Sequence, residues 1–342
     1  MEILSIYVDG YKNISNVRID LRRTISALIG FNNSGKSNFI QSIIFGFNLM
    51  RSEDNIREDL LKSKENVPAL EKYNSKIYTF NVEFTHEGER YSYELQADWD
   101  SYSIISENIT DKNDNFKIEL IEVIKSTIIA SIYEDNDFEY HNLSSTKQRN
   151  IEDDCYLIYK HLRELKESDV DRYEILIDSF LSLFPEILYI RLDYNDTVYY
   201  KEKYLDRELP LKLLSSGPQK IFKLFSTLAR QKKDKFSLVF FEEIENSIHP
   251  ILIENLLIAL DVLAINTSII ITSHSPYLIQ HINLDSVYLA VPANYGKANF
   301  RTIKDKKKLL KLASEYDQST GEFIFNLMLE SYHEPERLLE WL

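Results

Sequence analysis

The stretch Ile25-Ser26-Ala27-Leu28-Ile29-Gly30-Phe31-Asn32-Asn33-Ser34-Gly35-Lys36-Ser37-Asn38 decides the reading of this chain. Gly30 to Ser37 fit the pattern GxxxxGK[ST] in a protein that has only eight glycines, so the glycine spacing is a specific signal. Gly30 and Gly35 let the backbone curl until successive amides face phosphate oxygens. Lys36 then reaches the β and γ phosphates of a nucleotide, and the Ser37 hydroxyl ligates Mg²⁺. Asn32, Asn33, Ser34 and Asn38 complete the expected phosphate cradle. The flanks agree with this reading: Ile25 to Ile29 is an apolar β-type run, and Asn38 to Leu49 has helical apolar spacing. A helix starting there points its N-terminus at the phosphates.

Composition bounds the rest. The 342 residues are 44% hydrophobic and 27% charged, an ordinary globular mixture for one large domain carrying a lobe. No apolar run is long enough to span a bilayer, and the N-terminal residues lack the regions of a signal peptide, so a cytoplasmic protein without membrane contact is expected. Cys155 is the single cysteine, which excludes an internal disulfide and a CxxC metal hook. A net charge of −14 argues against a broadly basic nucleic-acid surface. The run Lys304 to Leu312 (KDKKKLLKL) leaves a local nucleic-acid contact open, but it reads first as the solvated face of an amphipathic helix.

Along the chain, Glu2 to Val8 and Ile14 to Leu21 read as a β pair turning at Asp9-Gly10. Ile77 to Thr85 and Arg90 to Ala97 alternate apolar and polar residues about His86-Glu87-Gly88, a hairpin to which Ser103 to Ile109 adds a third strand. Residues 115–184 read as largely helical and charge-rich, within an inserted lobe placed at 110–185. Their pattern lacks the heptad regularity that a long coiled-coil arm requires. Strands and helices alternate through the final third, as in a mixed or parallel sheet, and residues 291–342 read as a C-terminal helical cap on a single domain spanning 1–342.

Three further motifs follow in order. Leu213-Leu214-Ser215-Ser216-Gly217-Pro218-Gln219 precedes the helical stretch Lys220 to Arg230, with Ser216 placed as its cap; such a turn offers amides and a hydroxyl to an anion. Phe236 to Phe241 is a buried-strand pattern ending in Glu242-Glu243. One carboxylate there can support the Mg²⁺ shell, while the next orients or deprotonates the attacking water. Ser268 to Thr272 is another buried strand, ending at Ser273-His274-Ser275-Pro276, where His274 can meet a γ phosphate or the water.

In this order, GFNNSGKSN, LLSSGPQ, LVFFEEIENSIHP and ITSHSPYLI resemble Walker A, the ABC signature, Walker B with its D-loop, and the switch histidine of ABC-type ATPases. The branch resembled holds the chromosome-maintenance (SMC) and break-repair heads and the overcoming-lysogenisation-defect (OLD) proteins. The implied fold is an α/β P-loop NTPase head with an N-terminal antiparallel β subdomain, a mixed or parallel core sheet and the inserted helical lobe. The resemblance implies ATP hydrolysis with Mg²⁺ in an ATP-sandwiched homodimer or a higher assembly of dimers. Lys36 and Ser37 of one subunit would then face Ser215, Ser216, Gly217 and Gln219 of the other. Glu243 is the implied base, Glu242 and Ser37 the metal side, and His274 the γ-phosphate sensor.

Two departures stand out. Glu242 occupies the usual Walker B aspartate position, and the metal-linking glutamine is unassigned, with Gln96 lying near the hairpin. The carboxylate set of the OLD nuclease domain, an early Glu with a later DxD, is not found after His274. The expectation is therefore a switch acting on a separate effector such as a nuclease or toxin, as in anti-phage defence. A DNA repair clamp is the alternative, and a transport subunit fits less well.

Overall fold

The computed structural model describes residues 1–21, 23–68, 75–113, 115–132, 138–140, 151–194, 197–229, 236–292, 296–331 and 338–342. Strands β1 (Glu2–Asp9) and β2 (Val17–Asp20) pair antiparallel, and β3 (Ile25–Ile29) feeds the phosphate loop into α1 (Lys36–Arg51). After α2 (Asp54–Leu61) come β4 (Ile77–His86), β5 (Glu89–Asp98) and β6 (Ser103–Asp111). These three join the first pair in a five-stranded antiparallel sheet ordered β2-β1-β4-β5-β6. The β4–β5 hairpin turns on Glu87 and Gly88, both at positive φ (52° and 83°), as a two-residue loop matched to strand twist requires.

The short α3 (Ile121–Lys125) leads into β7 (Ile128–Ile132) and β8 (Phe138–Tyr140), and then into α4 (Ile151–Ser168) and α5 (Val170–Leu183). Residues 115–184 are thus not uniformly helical. Ile128–Ile132 pairs parallel with the strand that carries the acidic pair, because a short apolar run offered to a buried strand edge gains more from pairing than from one isolated turn of helix. The side chain of Cys155 lies outside the described residues. A small sheet of β9 (Ile187–Leu192), β10 (Val198–Glu202) and β11 (Leu209–Pro210) follows.

The last third alternates as the sequence suggests: α6 (Ser216–Ala229), β12 (Ser237–Glu242), α7 (Ile253–Leu263), β13 (Thr267–Ser273), α8 (Pro276–His281), β14 (Val287–Pro292), β15 (Ala298–Arg301), α9 (Lys306–Glu315) and α10 (Thr320–Glu330). Arg230, the expected end of the α6 stretch, lies outside the described residues. Residues 291–342 are not purely helical either, since β15 closes the edge of the core sheet antiparallel to β14.

The core sheet has seven strands in the order β15-β14-β3-β13-β12-β7-β8, parallel from β14 to β7. Its central strands are buried on both faces, which explains their unbroken apolar character. Side chains alternate between two cores. Leu28, Leu238, Phe240 and Ile270 pack with α1 and the antiparallel sheet, whereas Ala27, Val239, Phe241, Ile269 and Ile271 pack with the helices on the other side. The pairing registers Ile29↔Ser273 and Glu242↔Thr272 bring the C-terminal ends of β3, β13 and β12 to one sheet edge, the place where ligands bind in such sheets.

Helix α10 packs against α8 through Gly321, where an added Cβ would stand 1.9 Å from the Pro276 carbonyl oxygen. Gly321→Ala should therefore cost about 1–3 kcal/mol as α10 backs away. Chemical denaturation reads this directly, and an unchanged midpoint would mean that the two helices do not pack this closely.

Candidate nucleotide site

The phosphate loop is shaped by close packing. A Cβ at Gly30 would lie 2.5 Å from Ser34 Oγ and 2.6 Å from Ala290 Cβ; Gly35 sits at φ +94°, with Ala298 Cβ at 2.4 Å from where its own Cβ would be. Asn33 also takes a left-handed conformation, at φ 64°. Helix α1 has Gly35 as its cap, no side-chain cap and no acidic residue in its first turn, so its leading amides are available to an anion. Lys36 is buried and donates to the carbonyls of Gly30 (2.7 Å) and Phe31 (3.0 Å), folding its ammonium back over the loop. Burial pulls its pKa below the usual lysine value, opposed by Glu243, Glu245 and Glu242.

A polar hollow of about 390 Å³ is lined by Asn32, Asn33, Ser34, Gly35, Lys36, Ser37, Asn38, Glu242, Glu243 and Thr272. Cradle and acidic pair, far apart in sequence, thus share one cavity. The hard oxygens of the Ser37 hydroxyl and the Glu242 carboxylate suit Mg²⁺, a cation usually held by few protein groups together with substrate phosphates. The described residues contain no cluster of three or more His, Cys, Asp or Glu that could hold a metal.

Glu242 ends β12, and Glu243 turns off the sheet in a left-handed conformation (φ 49°, ψ 55°). A non-glycine residue held there is strained, and such strain persists where neighbours fix it. Here Glu243 N–H donates to the Thr272 carbonyl (3.0 Å) and Oγ1 (3.2 Å), and Asn246 Nδ2 donates to Glu243 Oε2 (2.8 Å). His274 follows β13, its side chain 44% exposed, with Nδ1 3.8 Å from Glu243 Oε1.

Sequence reasoning missed Glu245. Its side chain is 8% exposed, and Oε1 accepts from Ser273 Oγ (2.6 Å) and from the His274 backbone N–H (2.9 Å). The available signal was a third carboxylate between Ile244 and Ile248, two residues that read as core.

The signature turn does not line the hollow. Helix α6 begins at Ser216 rather than after it, which moves the capping position from Ser216 back to Ser215; the Ser215 carbonyl accepts from Gln219 N–H at 3.3 Å. Ser215 and Ser216 are exposed. Gly217 is packed so closely that a Cβ would come 2.3 Å from the Ser247 carbonyl oxygen. Gln219 Nε2 donates to the carbonyls of Lys212 (2.9 Å) and Leu214 (2.6 Å), so its amide closes the preceding turn. Gln96 lies on β5 and donates to Glu94 (2.8 Å), and it does not line the hollow.

On α9, Lys306 pairs with Asp285, Lys308 lies 4.8 Å from the centre of the Trp341 ring, and Lys311 is 3.6 Å from Glu315. These cations are engaged with their own chain, as expected of a solvated amphipathic face. Among the described residues no helix is long and apolar enough to cross a membrane.

Residues 25–280 match the protein family described as "AAA domain, putative AbiEii toxin, Type IV TA system". No curated protein matches the chain. Among solved structures, the SMC head domain from Thermotoga maritima aligns with a TM-score of 0.53 and 15% identity, over 89% of this chain and 100% of that one. An Smc head bound to the C-winged helix domain of ScpA gives 0.56 and 15% identity over 90% and 100%. An Smc head with an extended coiled coil, bound to the C-terminal domain of ScpA derived from Pyrococcus furiosus, gives 0.57 and 12% over 93% and 100%. With the family matched over most of its length and the fold shared with these heads, the chain belongs to that AAA family and has the fold of an SMC-like ABC ATPase head.

Proposed function

We propose that the chain binds ATP with Mg²⁺, hydrolyses it, and works as a dimeric switch that controls a separate effector, a nuclease or toxin, in bacterial anti-phage defence. The observation that carries this reading is the meeting of the Lys36 cradle with Glu242 and Glu243 in one hollow, while an exposed serine-glycine turn lies outside it. A site divided in this way is completed when a second copy brings its turn to the first copy's nucleotide. Lys36 and the loop amides bind the phosphates, Ser37 and Glu242 face the metal, Glu243 orients or deprotonates the water, and His274 meets the γ phosphate. Held by Ser37 and Glu242, Mg²⁺ would supply neutralisation of the phosphate charge.

The effector part of the proposal draws support from two descriptions: the family's mention of a type IV toxin–antitoxin system, and a similar head bound to a domain of another protein, ScpA. No observation favours the DNA clamp, since three lysines of the basic run are engaged within the chain. Light scattering after size exclusion tests the switch. Wild-type protein with Mg²⁺ and a non-hydrolysable ATP analogue is expected to double in mass, or to assemble further in pairs, relative to nucleotide-free protein. An unchanged mass, with analogue binding demonstrated separately, would rule out a nucleotide-driven dimer.

A further inference from the structure

Besides Ser34 Oγ in the phosphate loop, two buried polar atoms at the strand ends have no hydrogen-bond partner among the described residues, Glu245 Oε2 and His274 Nδ1. Buried polar atoms are rarely left unpaired, so each calls for a reason. They belong to side chains that already face one another. His274 Nδ1 is 3.5 Å from Glu245 Oε1 and 3.8 Å from Glu243 Oε1, beyond good hydrogen-bond length to either carboxylate.

We infer that Glu245 is a positioning residue for the switch histidine. It draws the Nδ1 side of His274 away from Glu243, which fixes the imidazole plane with Nε2 presented to the γ phosphate and leaves Glu243 free for the attacking water. This rests on the ATPase reading above. The carboxylate is well anchored for the task, since Oε1 is held by Ser273 Oγ and by the backbone N–H of His274 itself. A small turn of the ring converts the 3.5 Å approach into a hydrogen bond and pairs the orphaned nitrogen.

Without Glu245, the other carboxylate near Nδ1 is Glu243, at 3.8 Å, and a histidine bonded there would occupy the group meant for water. The placement of Glu245 also ties it to the signature turn. It stands on the 3₁₀ segment Ile244–Ser247, on whose last carbonyl Gly217 is packed.

The test has two readouts. In nucleotide-free protein labelled with ¹⁵N in its histidine rings, the His274 Nδ1 signal, identified by its absence from His274→Ala, is expected to move in Glu245→Gln. An unmoved signal would overturn the inference, and this readout does not depend on whether the chain hydrolyses ATP. In turnover assays, Glu245→Gln and Glu245→Ala should each lower kcat by about 10- to 100-fold, the usual loss for a group that orients a functional histidine. KM for ATP should stay within about 3-fold, because binding before chemistry is untouched.

In a His274→Ala background the same changes should cost no more than about 2-fold further, since the two residues act as one unit. Full additivity would mean that Glu245 acts without the histidine and would overturn the inference. Glu245→Gln can still accept from Ser273 and the His274 amide, so it keeps the test readable should Glu245→Ala fail to fold. If wild-type protein binds no ATP, the ATPase reading falls while the ring signal still decides the Glu245–His274 contact.

Discussion

Lys36→Ala should weaken ATP binding by about 10²- to 10⁴-fold, since on the proposed reading the ammonium would make two charge-assisted hydrogen bonds to phosphate, each worth about 1.5–3 kcal/mol. The structure gives the loss a specific form. The Lys36 ammonium donates to the carbonyls of Gly30 and Phe31, so the loop is held around its own lysine. Removing the side chain deletes the phosphate contact and these loop bonds together.

The effect on stability without nucleotide should be much smaller. Burial already disfavours the charged lysine, as its lowered pKa records, and an alanine relieves that cost while losing the two carbonyl contacts. The two effects oppose. The measurement is a pair of melting curves with a calorimetric titration. Wild-type protein should gain about 2.7 kcal/mol of stability at ATP concentrations a hundred times its Kd, and Lys36→Ala should gain almost nothing at that same concentration. A variant that still binds ATP as tightly as wild type would remove Lys36 from the site.

The parts of the site legible in the sequence were those set by local chemistry. A loop whose glycines must approach Ser34, Ala290 and Ala298 admits few other residues, so the motif read directly. A strand buried on both faces writes itself as an apolar run, which placed β12 and β13, and the acidic pair and histidine at their ends came with them. The antiparallel hairpin read through its period-2 alternation and the Glu87-Gly88 turn.

What escaped depended on partners distant in sequence. Ile128–Ile132 is a short apolar run among helical neighbours, and only the edge of β12 makes it a strand. Glu245 looked like one more acidic residue in a loop, because its role comes from Ser273 and His274 on another strand's end. Gln219, expected at the nucleotide of a partner subunit, also donates its Nε2 to the carbonyls of Lys212 and Leu214, a turn-closing contact that its place in the motif does not announce. The role of α10 was equally hidden. Phe325 lies 5.8 Å from Phe31 in the phosphate loop, and Gly321 rests on Pro276, two residues after His274, so α10 touches both ends of the candidate site.

Glu243→Gln should lower ATP turnover by about 10²- to 10⁴-fold, the contribution of a well-placed general base, while leaving ATP binding intact or tighter. The geometry argues that the change is local. Glutamine has the same shape, accepts the Asn246 Nδ2 hydrogen bond through its carbonyl oxygen, and keeps the backbone N–H bonds to Thr272 that hold the left-handed turn. No steric penalty is added at φ 49°, since both side chains carry the same Cβ and Cγ. What changes is charge. Loss of one carboxylate beside Lys36 removes a repulsion felt by the incoming phosphates, which sets the sign of the affinity change. With binding preserved and hydrolysis blocked, the ATP-bound dimer should persist in light scattering for as long as ATP and Mg²⁺ are present, whereas the wild type returns to its starting mass as ATP is consumed. Turnover of Glu243→Gln at the wild-type rate would move the water-activating role to Glu242 or Glu245, and the same assay on Glu242→Gln and Glu245→Gln would show which of them holds it.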